Sequence, residues 1–511
     1  MFGKTHRLIY LVTLILLAIS IPTSKAIPNV LGGVLVANWV LEWNWREKWS
    51  LLKQNRTALV MALFFFFFAY GLLWTGDLTG SLKEWVAKTP FLYLPVVMAS
   101  TPKVEVKWQR FILLAFSITV AVSAALCVII MQAKGLSDVR EGGLFISHIR
   151  FSICVTLAIL FCARFVVRPE EYAWPVRVGC GLMCVWLLLY LFFVQVSTGI
   201  LLLVVAAMVS FFYFLFKSQK TKVRNGMLIA SGTLFVVFAV SFSVVTYQYF
   251  HVDESIEQNL PEKTALGHPY THDISPDTDG SIVENGHKLG LFVCEEELRA
   301  DWTKRSAVPY DSIRKTLVRY LNSKGLTKDS EGFATLTDQE IHLVEDSIAN
   351  VAYLQKFGMK KMLYPTYFTI VLYKKDGTTR NSSLLQRYEL WKCGWLAVCD
   401  KPWTGYGLSC NKQMIDEKLD EMNSPLKRDM GVHNQFLTFA LMGGIPLVLA
   451  FLVTLFFPFF EKNRKITLLY FLFWLSLVLS MFFEDTLETT TGVNLFLFFN
   501  SFFLFGSTWE E

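Results

Sequence analysis

The chain has 511 residues, 53% of them hydrophobic and 15% aromatic, with a mean hydropathy of +0.41. Only 18% are charged, whereas soluble domains carry about a quarter, so an all-soluble fold is excluded and most of the chain is expected in lipid. The formal charge of +6 does not point to nucleic acid, because the lysines and arginines collect in short loops and form no basic stripe interleaved with aromatics.

The apolar residues come in runs near the roughly 20 residues that a helix needs to cross a bilayer. They lie at about 8–23, 27–42, 57–75, 86–100, 111–132, 149–166, 174–194, 198–216, 226–248, 434–459, 465–483 and 490–506. The expected fold is an all-α polytopic membrane protein of about twelve transmembrane helices. Lys4 and Arg7 before the first run, with Ser24-Lys25-Ala26 after it, also fit a cleaved signal peptide. The fourth run holds Pro90 and Pro95 and reads as a broken or re-entrant helix that needs protein around it.

Alternate loops are basic: Arg46, Lys48, Lys53 and Arg56 fill one, and Lys217, Lys220, Lys222 and Arg224 another. The loops between them hold only Lys25, Lys83, Lys88, Lys134, Arg140 and Arg150. By the positive-inside rule both termini are cytoplasmic and the long polar segment 249–433 lies outside, which in a bacterial inner membrane is the periplasm. The expected division is 1–248 with nine spans, 249–433 as a mainly helical periplasmic segment, and 434–511 with three spans.

Within the polar segment, apolar residues recur at helical spacing from Pro309 to Ser323, with Gly325 placed to end the helix. Thr337-Asp338-Gln339-Glu340 has the form of a capping box opening a second helix. The aromatic stretch 364–374 fits either a strand or an interfacial helix. Cys294, Cys393, Cys399 and Cys410 fall in this segment, where a disulfide is permitted and its pairing cannot be read. Cys127, Cys154, Cys162, Cys180 and Cys184 lie in apolar runs and read as small hydrophobes. No paired-cysteine or clustered His/Cys spacing suggests a metal, and no glycine-rich phosphate loop occurs.

Three stretches at the outer membrane face carry chemistry. Arg150, with His148 beside it, opens the sixth run; a guanidinium there suits a lipid diphosphate or simply snorkels at a helix end. Arg387 lies on an amphipathic stretch followed by Pro402-Trp403-Thr404-Gly405-Tyr406-Gly407, a tight turn that brings backbone N–H groups toward its neighbour or, as most such turns do, simply ends a helix. His433 and Asn434 enter the tenth run; an imidazole titrates near neutrality and suits a general base, although a lone interfacial histidine is more often structural. Glu484, Asp485 and Glu488 either orient these groups or merely end the eleventh run.

Taken together, Arg387-x-x-x-Trp391, Pro402-x-x-Gly405-x-Gly407, His433-Asn434-x-x-Leu437, Gly443-Gly444-Ile445 and Glu484-Asp485-Thr486-Leu487-Glu488 resemble the O-antigen ligase and polymerase family of membrane glycosyltransferases. The segments 316–326 and 336–341 are similar to an inserted domain of members from Bacteroides-like bacteria. Many relatives carry a Ser-Arg or Ser-Lys pair where this chain has Val196-Ser197-Thr198-Gly199, so if that residue helps hold diphosphate, either Arg150 and Arg387 suffice or a basic residue of the insert replaces it. The resemblance implies transfer of a glycan from a polyprenyl (undecaprenyl) diphosphate carrier to an acceptor hydroxyl, by a metal-independent, inverting reaction without cofactor. In that reading Arg150 and Arg387 bind diphosphate, His433 is the base, and His148, Asn434, Glu484 and Asp485 support them.

The acceptor is lipid A core in a ligase, a growing glycan in a polymerase, or protein in an O-oligosaccharyltransferase, and the insert at 250–385 is the expected place for that choice. The competing class is a lipid-linked glycan transporter. Such a protein would hold ionisable residues at the bilayer midplane, often in repeats, whereas here they gather at one face.

Overall fold

The computed structural model describes residues 2–134, 145–194, 196–217, 221–253, 255–258, 260–355, 358–379, 382–409, 411–426, 428–462 and 464–507. Lys220, Arg140 and Cys410 lie outside the described residues. The chain is helical almost throughout, the described strand being a two-stranded antiparallel pair that matches Val283 with Lys288 and Glu284 with His287.

Among the described residues, eight helices are long and apolar enough to cross a membrane: Gly3–Ser20, Arg56–Trp74, Val106–Ala133, His148–Val167, Trp174–Val194, Thr198–Lys217, Arg224–Phe250 and Gln435–Phe460. Ile27–Leu41, Leu468–Ser480 and Thr490–Gly506 are apolar but shorter. The expected span at 86–100 is instead two short helices, Leu78–Ala87 and Pro90–Ala99. Ten residues rise only about 15 Å, half of the hydrocarbon thickness. Pro90 opens the second piece and its Phe91, Leu94, Val97 and Met98 are buried among other helices, the surroundings that a broken helix requires.

Two compact units divide the chain: Met1–Lys217 with Arg387–Glu511, and Ser218–Gln386. Compactness is a different property from the side of the membrane on which a segment lies. The first unit is packed around phenylalanines. Phe64 meets Phe91, Phe439 and Phe451 at ring-centroid distances of 5.0, 5.9 and 5.5 Å, and Phe116 meets Phe499 at 4.8 Å. The His148–Val167 helix is buried continuously from Phe151 to Cys162. A helix apolar all round takes the centre of a bundle, so the residues at its N-terminal end are carried inward.

In the second unit, Tyr310–Ser323 is the amphipathic helix that the spacing predicts, and it ends at Gly325 with φ +71°. Ile313, Leu317, Tyr320 and Leu321 face a small core with Leu298, Trp302 and Phe333. The capping box is complete: Thr337 Oγ1 accepts from the Glu340 N–H at 3.3 Å, and Glu340 Oε2 accepts from the Thr337 N–H at 3.0 Å. The ambiguous 364–374 stretch is helical, within Met359–Asp376, and Gly377 in left-handed conformation closes it. No disulfide joins the described cysteines; Cys294 and Cys393 are buried and Cys399 is exposed.

Candidate active site

The Gln435–Phe460 helix begins where its sequence provides a cap. Asn434 Oδ1 accepts from the N–H groups of Phe436 and Leu437 at 3.0 and 3.1 Å, filling the first orphan donors. Asn434 Nδ2 reaches the Phe482 carbonyl, so this residue is a structural cap that also ties the helix to the 482–488 segment. The helix breaks at Gly443 and Gly444, both outside helical φ/ψ. The 402–407 turn enters that break: Tyr406 N–H donates to the Leu441 carbonyl at 2.7 Å, and Ile445 N–H to the Pro402 carbonyl at 2.7 Å. A Cβ on Gly444 would lie 2.5 Å from Trp403 backbone atoms, and one on Gly405 2.5 Å from the Leu441 oxygen. The turn's N–H groups therefore dock it onto this helix.

That docking positions the Ser383–Asp400 helix, whose Leu390, Cys393 and Ala397 pack with Val432, Ala440 and Leu441. Trp391 of this helix stands 6.2 Å from the Phe483 ring. The packing brings Arg387 toward the segment that holds Glu484.

His433 sits at the junction with φ +52°, a left-handed conformation that costs a non-glycine residue on the order of 1 kcal/mol. Asp485 holds it there. Its carboxylate accepts from the His433 N–H at 3.2 Å, the Asn434 N–H at 3.0 Å and the Thr438 hydroxyl at 2.8 Å. Strain maintained by a surrounding network is a feature of functional positions. Burial pushes the Asp485 carboxyl up, against the opposing effects of Thr438 and His433.

Glu484 stands between an arginine and a histidine. Its Oε1 accepts from Arg150 Nη2 at 3.2 Å, and its Oε2 lies 3.6 Å from His433 Nδ1. The second distance is attraction at a range longer than a hydrogen bond. Burial raises this carboxyl, but His433, Arg150 and Arg387 more than offset it and hold it below the ordinary carboxylate range. Arg150 also donates to Ser147 Oγ at 3.2 Å and to the Asp485 carbonyl at 3.4 Å.

The bonding is incomplete in a specific way. Arg150 Nε, Arg387 Nε, Trp391 Nε1, His433 Nδ1 and Glu484 Oε2 are all buried without a hydrogen-bond partner among the described residues. Leaving such atoms unmade is costly, and since His433 Nδ1 and Glu484 Oε2 face each other across 3.6 Å, the open donors are those of Arg150, Arg387 and Trp391.

Around this centre runs a support that sequence reasoning missed. Lys88, 1% exposed, donates to Glu488 Oε2 at 3.0 Å and to the Leu487 carbonyl at 2.6 Å. Gln435 donates to Glu488 Oε1 at 2.7 Å and accepts from the Leu487 N–H at 2.6 Å. The acidic segment is thus an anchored loop, not a plain helix end. His148 is the first residue of its helix, after the Ser147 cap, and the central group is Arg150, Arg387, His433, Glu484 and Asp485.

In the Val196–Gly199 stretch, Gly199 packs against Ser152, and its carbonyl accepts from Thr156 Oγ1 at 3.2 Å. Small residues there let two helices approach closely.

The O-Antigen ligase family model matches residues 346–452. The match takes in Arg387, the 402–407 turn and His433, and stops inside the Gln435–Phe460 helix, while Arg150 and the 484–488 segment lie beyond it. No curated protein matches the chain.

Proposed function

We propose, from the match of residues 346–452 to the O-antigen ligase family model, that the chain is a glycosyltransferase-type membrane enzyme that transfers a glycan from a polyprenyl diphosphate carrier to an acceptor hydroxyl. The acceptor in this reading is lipid A core, and the reaction takes place at the periplasmic face of a bacterial inner membrane with both termini cytoplasmic. The observation that carries it is the convergence of two arginines, a histidine and a carboxylate with buried, unpartnered atoms.

Arg150 and Arg387 offer guanidinium donors to the diphosphate, a geometry that suits phosphate oxygens. His433, with Nδ1 facing Glu484, takes the acceptor proton. The acceptor oxygen attacks the anomeric carbon as the carbon–phosphate-oxygen bond breaks, and the electron pair leaves with the polyprenyl diphosphate. Attack opposite the leaving group inverts the anomeric centre. The arginines stabilise the charge that grows on the departing diphosphate, and Glu484 stabilises the imidazolium. No nucleotide sugar and no metal enter these steps.

The test is a transfer assay with purified protein, polyprenyl diphosphate oligosaccharide and lipid A core, read by product mass. A glycosylated lipid A core is the expected product. Extension of the glycan on its carrier would replace this reading with polymerisation, and movement of intact donor across a vesicle bilayer without acceptor consumption would replace it with transport.

A further inference from the structure

His268, Cys294 and Glu297 bring an imidazole, a thiol and a carboxylate within 4.8 Å of one another in the Ser218–Gln386 unit. His268 and Cys294 are far apart in sequence, which is why spacing alone hides the group. The fold assembles it from two segments. Cys294 is the N-cap of the Glu295–Arg305 helix and Glu297 its third residue, so both side chains converge on one helix end. The loop carrying His268 is closed by the Thr264 N–H to His268 carbonyl bond at 2.8 Å, and is fastened to the same end by the Thr271–Val293 bridge at 2.7 and 3.2 Å.

A purely structural reading covers part of this. His268 Nδ1 lies 2.9 Å from Glu297 Oε1, and Glu297 Oε2 accepts from the Ser330 N–H at 2.9 Å. Thr264 Oγ1 also donates to Glu297 Oε1 at 2.5 Å, and the buried Cys294 thiol faces the Glu296 and Glu297 N–H groups of the helix end without a disulfide partner among the described residues, which leaves it placed to ligate as a thiolate. We propose that His268, Cys294 and Glu297 form a zinc site, with water or the Glu296 carboxylate as fourth ligand.

Thiolate, imidazole and carboxylate are all zinc ligands, while calcium and magnesium prefer oxygen alone. A tetrahedral site of ordinary bond lengths spaces its ligand atoms by about 3.3–3.8 Å, so side-chain rotation on the order of 1 Å closes the group. The His268 side chain is 41% exposed and those of its partners are buried, which gives the ion one open approach. Binding releases the thiol proton and clamps the 262–273 loop to the helix end.

The experiment uses full-length protein in detergent, freed of any histidine tag and stripped with chelator, then titrated with zinc. The expected result is one zinc per chain, with affinity at least 10-fold weaker in Cys294→Ser and in His268→Gln. Cobalt in place of zinc is expected to give a thiolate charge-transfer band that Cys294→Ser abolishes. His268→Gln alters a part-exposed side chain, and circular dichroism verifies its helix content. Absence of retained zinc in wild type, unchanged affinity in both variants, or a cobalt complex without the thiolate band would each overturn the site. Glycan transfer is not a readout, so either outcome leaves the transfer reading untouched.

Discussion

Arg319 and Arg150 are both partly buried arginines that meet a buried glutamate, and the two pairs are built differently. Arg319 holds Glu284 through two bonds of 2.8 Å, reaches Tyr353 Oη at 3.2 Å, and stacks 3.4 Å over the Phe368 ring. Glu284 takes a further bond from Asn350 at 2.8 Å. Arg150 meets Glu484 through one 3.2 Å contact, and Arg150 Nε and Glu484 Oε2 are left unpartnered. A saturated pair holds a fold together. An unsaturated pair beside a strained histidine retains capacity for a ligand. The same residue types form a saturated pair in one unit and an unsaturated one in the other, and under the proposed function only the second serves chemistry.

The largest expected effect is at His433. His433→Ala should lower the transfer rate by about 10³-fold while the folded protein keeps its helix content, measured by initial rates with lipid-linked donor and by circular dichroism. Undiminished activity would remove the base.

The next tests the comparison itself. Arg319→Met strands Glu284 as an uncompensated buried charge and should destabilise its unit by about 3–5 kcal/mol, seen as faster hydrogen exchange across 283–354. Arg150→Met should change exchange little and instead raise the KM for donor. Equal loss of protection in both variants would erase the distinction.

Glu484→Gln should lower kcat by about 10²-fold, the effect of losing a group that orients a reacting residue. Arg387→Lys should raise the donor KM by about 10-fold, because an ammonium cannot offer the planar fork of a guanidinium. Rates measured over a range of donor concentration separate the two.

A pH dependence separates the second unit in another way. Lys328 is buried and bonded to Asn322 Oδ1 at 2.7 Å and the Leu291 carbonyl at 3.0 Å. Burial lowers its pKa from 10.5 to about 7. Between those values the unfolded chain binds a proton that the folded chain does not, so stability falls as pH drops from 10.5 to 7 and levels off below. The slope contributed is at most about 1.4 kcal/mol per pH unit. Thermal midpoints at the two ends of that window should differ in this direction, and Lys328→Met should narrow the difference.

Local patterns carried over from sequence to structure where the governing forces are local. The Tyr310–Ser323 helix and the Thr337–Glu340 capping box follow from side-chain spacing and a cap within one turn. The helical state of 364–374 did not, because an aromatic run with Pro365 satisfies either period until its neighbours are known. Of the site, Arg387 and His433 were visible as polar residues in short motifs, and Arg150 as a charge at a membrane boundary. Lys88, Gln435 and Thr438 were not, since nothing local distinguishes a loop lysine or a helix glutamine from one that anchors a carboxylate.

Composition and periodicity determined that this is a helical membrane protein, because a lipid solvent demands long apolar runs whatever their partners. They also determined which residues were available for chemistry. Only the tertiary structure decided that Glu484 stands between Arg150 and His433, that Asp485 holds His433 in a left-handed turn, and that His268 meets Cys294 and Glu297. Such meetings depend on how distant segments pack, and packing is a property of the assembled interior that no single stretch of chain encodes.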